Sequence, residues 1–167
     1  MKTQRPSTTA KKSQLRKVPA KARLAADYTK QVQLHASREL VFSALTTLGG
    51  LRGWWTPMVT GKATTGGELR FGFAGLDEYI IMRVAKSKRP SSVHWNCVIH
   101  TSMPEWNATQ PRFDLVEETP GSCRLDFRHI GLTPQLECFD DCRLGWDHFL
   151  ASLVAYVEQG VGMPYDV

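Results

Sequence analysis

One long amphipathic helix, predicted at residues 135–159, constrains the fold of this chain more than any other feature. Its apolar residues occupy about one third of a helical wheel: Cys138, Cys142, Trp146, Phe149, Leu150, Leu153, Tyr156 and Val157. Gly160 is suited to end the helix, and Pro164 prevents it from resuming. An apolar stripe of this width needs a surface to pack on. The rest of the chain must therefore provide that surface.

Six short runs rich in strand-forming residues precede the helix, at residues 58–62, 68–73, 78–88, 92–101, 112–118 and 122–130. Turn residues separate the runs, which predicts an antiparallel meander. A further strand at residues 28–34 comes before them. Two short helices follow that strand. The first is predicted at residues 37–45, with Ser37 as its N-cap and Gly49 and Gly50 ending it, and the second at residues 51–55.

This order of elements predicts an α+β fold. A strongly twisted antiparallel sheet curls, and a single helix lying across its concave face cannot fill all the space beneath it. We therefore predict a curved seven-stranded antiparallel sheet wrapped around the C-terminal helix, with two short helices after the first strand. A cavity between the sheet and the C-terminal helix is expected from this geometry.

Charge divides the chain into two parts. The net charge of the 167 residues is +5, but residues 1–26 hold eight cations and no acid, which leaves 13 cations against 16 acidic residues beyond them. We predict a disordered basic tail at residues 1–26 and one domain at residues 27–167. Weak contact of the tail with nucleic acid or an anionic surface is a possible use of its charge.

Several classes of function find no support in the sequence. The four cysteines show no metal-binding spacing, so no metal site is predicted, and Cys138 and Cys142 are expected to share the buried face of the helix. No nucleotide-binding or nucleophile motif is present, and no cofactor is expected. No apolar run is long enough to span a membrane. We expect a cytoplasmic protein with reduced thiols.

Over residues 28–164 the sequence resembles the START-like, or SRPBCC, helix-grip superfamily. Within it, the chain is most similar to the branch named after activators of the ninety-kilodalton heat-shock-protein ATPase. The resemblance lies in the order and spacing of short pieces: SRELVFSAL at 37–45, WW at 54–55, GELRF at 67–71, VHW at 93–95, LDFRHIG at 125–131, the helix from 145 to 153, and YVEQG at 156–160. It implies a cavity for hydrophobic small molecules, or a domain used in protein contact. Catalytic residues are not shared across this superfamily, so none is transferred.

Alternation with a period of two predicts which strand residues face inward. On three strands these are Val93, Trp95, Cys97 and Ile99; Phe113 and Leu115; and Cys123, Leu125, Phe127 and His129. Trp106 is expected in a mobile loop near the cavity mouth, and His35, His94, His100 and His148 at the surface or the rim. We predict that the ligand is bound by Trp55, Trp95, Cys97, Phe113, Leu115, Phe127, His129, Trp146, Phe149 and Leu153.

Three functions are compatible with these patterns. The first is binding of a small apolar molecule, oriented by His129 or an indole N–H, without catalysis. The second is a cyclase- or dehydratase-like enzyme with His129 as acid or base, helped by Tyr79 or Glu117. The third is a protein-interaction domain that binds a chaperone or another protein. His129 can equally be a structural histidine whose hydrogen bonds are satisfied within the protein.

Overall fold

Seven antiparallel strands form one curved sheet in the order β1-β7-β6-β5-β4-β3-β2. The computed structural model describes residues 25–166, so the predicted tail lies almost wholly outside the described residues. The strands are β1 (Tyr28–Leu34), β2 (Val59–Gly61), β3 (Glu68–Gly72), β4 (Tyr79–Lys88), β5 (Ser92–His100), β6 (Gln110–Thr119) and β7 (Ser122–Ile130). Because strands β2 to β7 pair in chain order, they form the predicted meander. Strand β1 pairs with β7 and forms one edge of the sheet.

Two short helices, α1 (Arg38–Thr46) and α2 (Leu48–Trp54), follow β1. The Ser37 hydroxyl accepts a hydrogen bond from the backbone N–H of Leu40 at 3.3 Å, as expected of an N-cap. The prediction that Gly49 and Gly50 end α1 is wrong, since both lie within α2. Thr47 separates the helices instead, because its hydroxyl accepts from the backbone N–H of Gly50 at 3.0 Å and caps α2.

The long helix α3 (Phe139–Gln159) begins four residues later than predicted. The reason is a carboxylate from a distant loop. Glu105 accepts the backbone N–H groups of Glu137 at 3.1 Å and Cys138 at 3.0 Å, which satisfies these donors outside the helix. Cys138 is therefore the N-cap residue and only half-buried, rather than a member of the buried face. Gly160 ends the helix with a left-handed φ of 81°.

The core lies between the sheet and α3. The helix contributes Cys142, Trp146, Leu150, Ser152 and Leu153, and the sheet contributes the alternating inward residues of β4 to β7. On β6 and β7 the predicted inward residues are buried. At the edge, Asp147 accepts hydrogen bonds from Tyr28 and Lys30 of β1, both at 2.6 Å. These bonds join α3 to β1, which is the edge strand beside β7.

A β-bulge changes the facing of residues at the end of β5. Ile81 of β4 pairs with Ile99 and the next residue, Met82, pairs with Cys97, so Val98 is the extra residue. Beyond the bulge the alternation is shifted by one. The prediction that Ile99 faces inward is therefore wrong, because Ile99 is exposed and His100 is buried in its place.

Candidate functional site

A cavity of about 190 Å³ lies between the first half of α3 and the ends of β4 and β5. Six of its lining residues are aromatic: Trp55, Phe73, Trp106, Trp146, Phe149 and Tyr165. For comparison, an apolar cavity of roughly 150 Å³ accepts benzene. The hollow therefore has room for an aromatic group of about one ring, and it is smaller than a typical site for a drug-sized ligand.

The indoles that form its walls are held by contacts with one another. The rings of Trp106 and Trp146 are stacked, with centroids 5.9 Å apart and an interplanar angle of 9°. Trp55, which follows α2, lies 5.4 Å from Trp146. Trp106 lies in a short 3₁₀-helix (Pro104–Trp106), and its Nε1–H donates to the Cys142 sulfur at 2.9 Å. These contacts give the walls a fixed shape before any ligand arrives.

The segment after α3 supplies one further wall. The backbone N–H of Tyr165 donates to the Trp55 carbonyl at 2.7 Å, and its ring meets Phe73 edge-on at 5.2 Å. The backbone N–H of Met163 donates to the hydroxyl of Ser152 at 2.6 Å. The chain end is thus fastened across α3 and α2, which places the Tyr165 ring against the cavity.

Polar groups are few in the lining. The two charged residues there are Glu78, which is half-buried, and Asp141, which is exposed. His100 accepts a hydrogen bond from the backbone N–H of Met103 through Nδ1, at 3.2 Å, so its ring proton resides on Nε2. Burial lowers the pKa of His100, although Glu78 opposes that shift. The imidazole is therefore neutral at physiological pH and can donate one hydrogen bond through Nε2.

His129 lies behind the cavity wall, fully buried at the end of β7. The indole Nε1–H of Trp146 donates to its Nδ1 at 2.9 Å. Its Nε2 lies 2.8 Å from the hydroxyl of Thr109, which itself donates to the Trp106 carbonyl at 2.5 Å. The proton must therefore be on Nε2, and both ring nitrogens are used within the protein. Burial lowers the pKa of His129 to about 3, with Asp27 opposing.

Three of the ten predicted ligand-binding residues line the cavity, namely Trp55, Trp146 and Phe149. The other seven are buried in the core but are not part of the cavity lining: Trp95, Cys97, Phe113, Leu115, Phe127, His129 and Leu153. Of these, Trp95 stacks on Trp55 with centroids 5.7 Å apart, and its Nε1–H is buried without a hydrogen-bond partner. Phe113, Phe127 and His129 contact Trp146 of the wall. A direct contact between any of the seven and a ligand stays a prediction.

Sequence reasoning missed several lining residues. Trp106 was expected in a mobile loop, but it is only 6% exposed and packs in the wall. His100 was expected at the surface or rim, whereas the bulge at Val98 turns it inward. The bulge left no clear signal in the alternation. Tyr79 and Glu117, considered as helpers of His129, lie outside the cavity lining.

A larger hollow of about 450 Å³ lies beside β2 and β3, away from α3. Its lining includes Arg52 and Arg70, whose guanidinium groups already contact the protein: Arg52 donates to the Val59 carbonyl at 3.1 Å, and Arg70 lies over the ring of Tyr79 at 3.5 Å. We take the smaller cavity as the candidate site because most of its lining residues are apolar or aromatic. Within residues 25–166 no cluster of histidine, cysteine and carboxylate side chains is arranged to hold a metal ion.

A curved seven-stranded antiparallel sheet with a long C-terminal helix across it is the helix-grip fold of the START-like, or SRPBCC, superfamily. A family model described as "Activator of Hsp90 ATPase homolog 1-like protein" matches residues 35–158. The chain belongs to this family. In the described part of the chain, no helix is both long enough and apolar enough to cross a membrane.

Solved structures show the same fold. The Aha1 dimer from Colwellia psychrerythraea is 27% identical with a TM-score of 0.71, covering 81% of this chain and 98% of that one. A Staphylococcus saprophyticus protein is 17% identical with a TM-score of 0.67, and the match covers 82% of this chain and 95% of that one. CalU16 from Micromonospora echinospora is 17% identical with a TM-score of 0.64, and the match covers 81% of this chain and 68% of that one. A comparison with curated proteins finds no match.

Proposed function

We propose that this protein binds a small apolar molecule carrying an aromatic ring in the cavity between the sheet and α3. The observation that carries the proposal is the set of six aromatic side chains around a hollow of about 190 Å³. Aromatic faces stack on flat ligands, and burial of apolar surface supplies the binding free energy. The Nε2–H of His100 offers one hydrogen bond to fix the orientation of the ligand.

No catalytic step is part of this proposal. His129 had the strongest case for acid–base chemistry in the sequence. In the structure both of its ring nitrogens are bonded within the protein, by Trp146 and Thr109, so neither is directed at a ligand. An acid or base must reach the proton that it transfers. His129 instead supports the wall: it accepts a hydrogen bond from the Trp146 indole, and through Thr109 it is linked to the backbone carbonyl of Trp106.

The test uses phenethyl alcohol as the probe and Gly145→Leu as the blocking variant. Gly145 lies on α3 in the cavity lining, and a side chain added there would meet open space. A leucine would therefore fill the cavity without displacing the core, and it should favour the helix by roughly 0.5 to 1 kcal/mol. Ala151→Leu, at an exposed position of the same helix, is the matched control.

We expect the native chain and Ala151→Leu to bind the probe with a dissociation constant of about 0.1 to 1 mM, as is typical of a ligand with roughly nine heavy atoms. Gly145→Leu should weaken binding at least about tenfold while the protein unfolds at an equal or higher temperature. Equal binding by all three proteins, or no saturable binding by the native chain, would overturn the proposal.

A second candidate is contact with a chaperone, which the family description raises. The observation that favours it is the pair of adjacent apolar residues Val98 and Ile99, exposed at 36% and 38% on the outer face of β5. A purified chaperone ATPase of the ninety-kilodalton class should then bind the native chain, and Ile99→Asp should abolish that binding. Absence of binding by the native chain would exclude this candidate.

A further inference from the structure

We infer that the cavity discriminates ligands by charge, accepting an aromatic molecule with a cationic or neutral polar end and rejecting the corresponding anion. This inference rests on the proposed function and specifies the class of ligand. Its basis is the charge of the lining: Glu78 and Asp141 are the charged residues among those that line the cavity, and both are carboxylates. No lysine or arginine is present in the lining.

Neither carboxylate of the cavity lining is held in an ion pair by another described residue. The salt bridges on α3 within residues 25–166 hold Asp140 and Asp147, whereas Glu78 and Asp141 have no salt-bridge partner there. His100 is the cavity residue that could carry a compensating positive charge. Its burial favours the neutral imidazole, and its Nδ1 already accepts the Met103 N–H. The charged groups of the lining are therefore negative, and its histidine is a neutral donor.

The positions of these groups fit a ligand with two ends. The aromatic residues enclose the apolar part, whereas Asp141 is exposed and Glu78 is half-buried, so both carboxylates of the lining are in contact with solvent. A ligand ammonium group at the solvent-exposed end of the cavity would be attracted by the carboxylates of the lining, and indole faces also attract cations. A ligand carboxylate there would be repelled, and no cation of the lining could pair with it.

The expected discrimination follows from the exposure of the two carboxylates. An exposed ion pair contributes at most about 1 kcal/mol, which corresponds to about fivefold in affinity. With two carboxylates attracting the ammonium and repelling the carboxylate, the two ligands should differ by about tenfold or more. Because the charges are partly solvated, the difference should shrink as salt is raised.

The experiment compares three probes with the same phenyl group: phenethylammonium, phenethyl alcohol and phenylacetate. Binding to the native chain is measured by isothermal titration calorimetry at low and high salt. We expect the ammonium to bind most tightly, the alcohol next and the carboxylate least. Glu78→Gln and Asp141→Asn should each reduce the difference between ammonium and carboxylate by about threefold, with little effect on the alcohol.

Two neighbouring carboxylates provide matched controls. Asp77→Asn and Asp140→Asn change the net charge by the same amount, but neither residue lines the cavity, so both variants should keep the native discrimination. If the alcohol binds and phenylacetate binds equally or more tightly, the charge inference is wrong while the proposed function stands. If none of the probes binds saturably, the proposed function itself fails. A loss of discrimination in the control variants would show that net charge, and not the cavity, selects the ligand.

Discussion

Thr109 carries two of the hydrogen bonds that hold the cavity wall, so Thr109→Val tests how that wall is built. The hydroxyl accepts from His129 and donates to the Trp106 carbonyl. Valine has nearly the same shape but cannot take part in either bond. The substitution therefore removes hydrogen bonding without opening a cavity, and any loss of stability reports on the polar network.

The expected magnitude follows from the two groups that lose a partner. The Nε2–H of His129 would be left buried and unpaired, which costs about 1 to 3 kcal/mol. The Trp106 carbonyl keeps its bond to the backbone N–H of Thr109 at 2.9 Å, so its loss is smaller, about 0.5 to 1.5 kcal/mol. Together these two losses should lower the free energy of unfolding by about 1.5 to 4.5 kcal/mol.

Urea unfolding followed by tryptophan fluorescence measures this change. Thr60→Val is the control, because Thr60 is exposed on the edge strand β2 and should change the free energy of unfolding by less than about 0.5 kcal/mol. A Thr109→Val protein as stable as the Thr60→Val control would refute the reasoning. The hydrogen bonds between His129, Thr109 and Trp106 would then contribute nothing to the wall.

Two further predictions concern stability. Burial lowers the pKa of His129 to about 3 from an ordinary value of 6.5, and it also lowers the pKa of His100. Between about pH 3 and pH 6.5 the unfolded chain therefore binds more protons than the folded chain. The free energy of unfolding should be highest above about pH 6.5. As the pH falls below that value, it should decrease by about 1.4 kcal/mol per pH unit for His129 alone. An unchanged urea midpoint between about pH 7 and pH 5 would contradict this prediction. Gly50→Ala should lower the free energy of unfolding by more than about 1 kcal/mol, since its Cβ would lie 2.5 Å from the Ala44 Cα. A Cβ at Gly49 would meet open space, so Gly49→Ala should be neutral or stabilising by up to about 1 kcal/mol. Thermal unfolding of the two variants measures the difference.

The fold was predictable because its signals are local and repeated. On β6 and β7, unbroken alternation identified Phe113, Leu115 and Phe127 as inward residues, and burial confirms these assignments. The apolar stripe of α3 likewise predicted that the helix packs on the sheet. These patterns depend only on the period of each element. The order of the elements therefore predicted a curved seven-stranded antiparallel sheet wrapped around the C-terminal helix, and the resemblance to a known family supplied the name helix-grip.

The cavity was less predictable because its lining depends on contacts between distant segments. Trp106 is placed by a bond to Cys142, and Tyr165 by a bond to the Trp55 carbonyl. His100 faces inward only because of the bulge in β5. No local period encodes such contacts. The sequence therefore predicted where a cavity would form, but it could not separate the residues that line it from those packed behind.

The most direct test of the account is an NMR titration of the native chain with phenethyl alcohol, followed through the indole N–H signals. We predict saturable shifts for Trp55, Trp106 and Trp146, which line the cavity, and none for Trp54, whose Nε1–H donates to the Ala44 carbonyl outside it. In Gly145→Leu these shifts should require at least about tenfold more probe. Shifts that do not saturate, or that persist unchanged in Gly145→Leu, would contradict the claim that an aromatic ligand occupies the space between the sheet and α3.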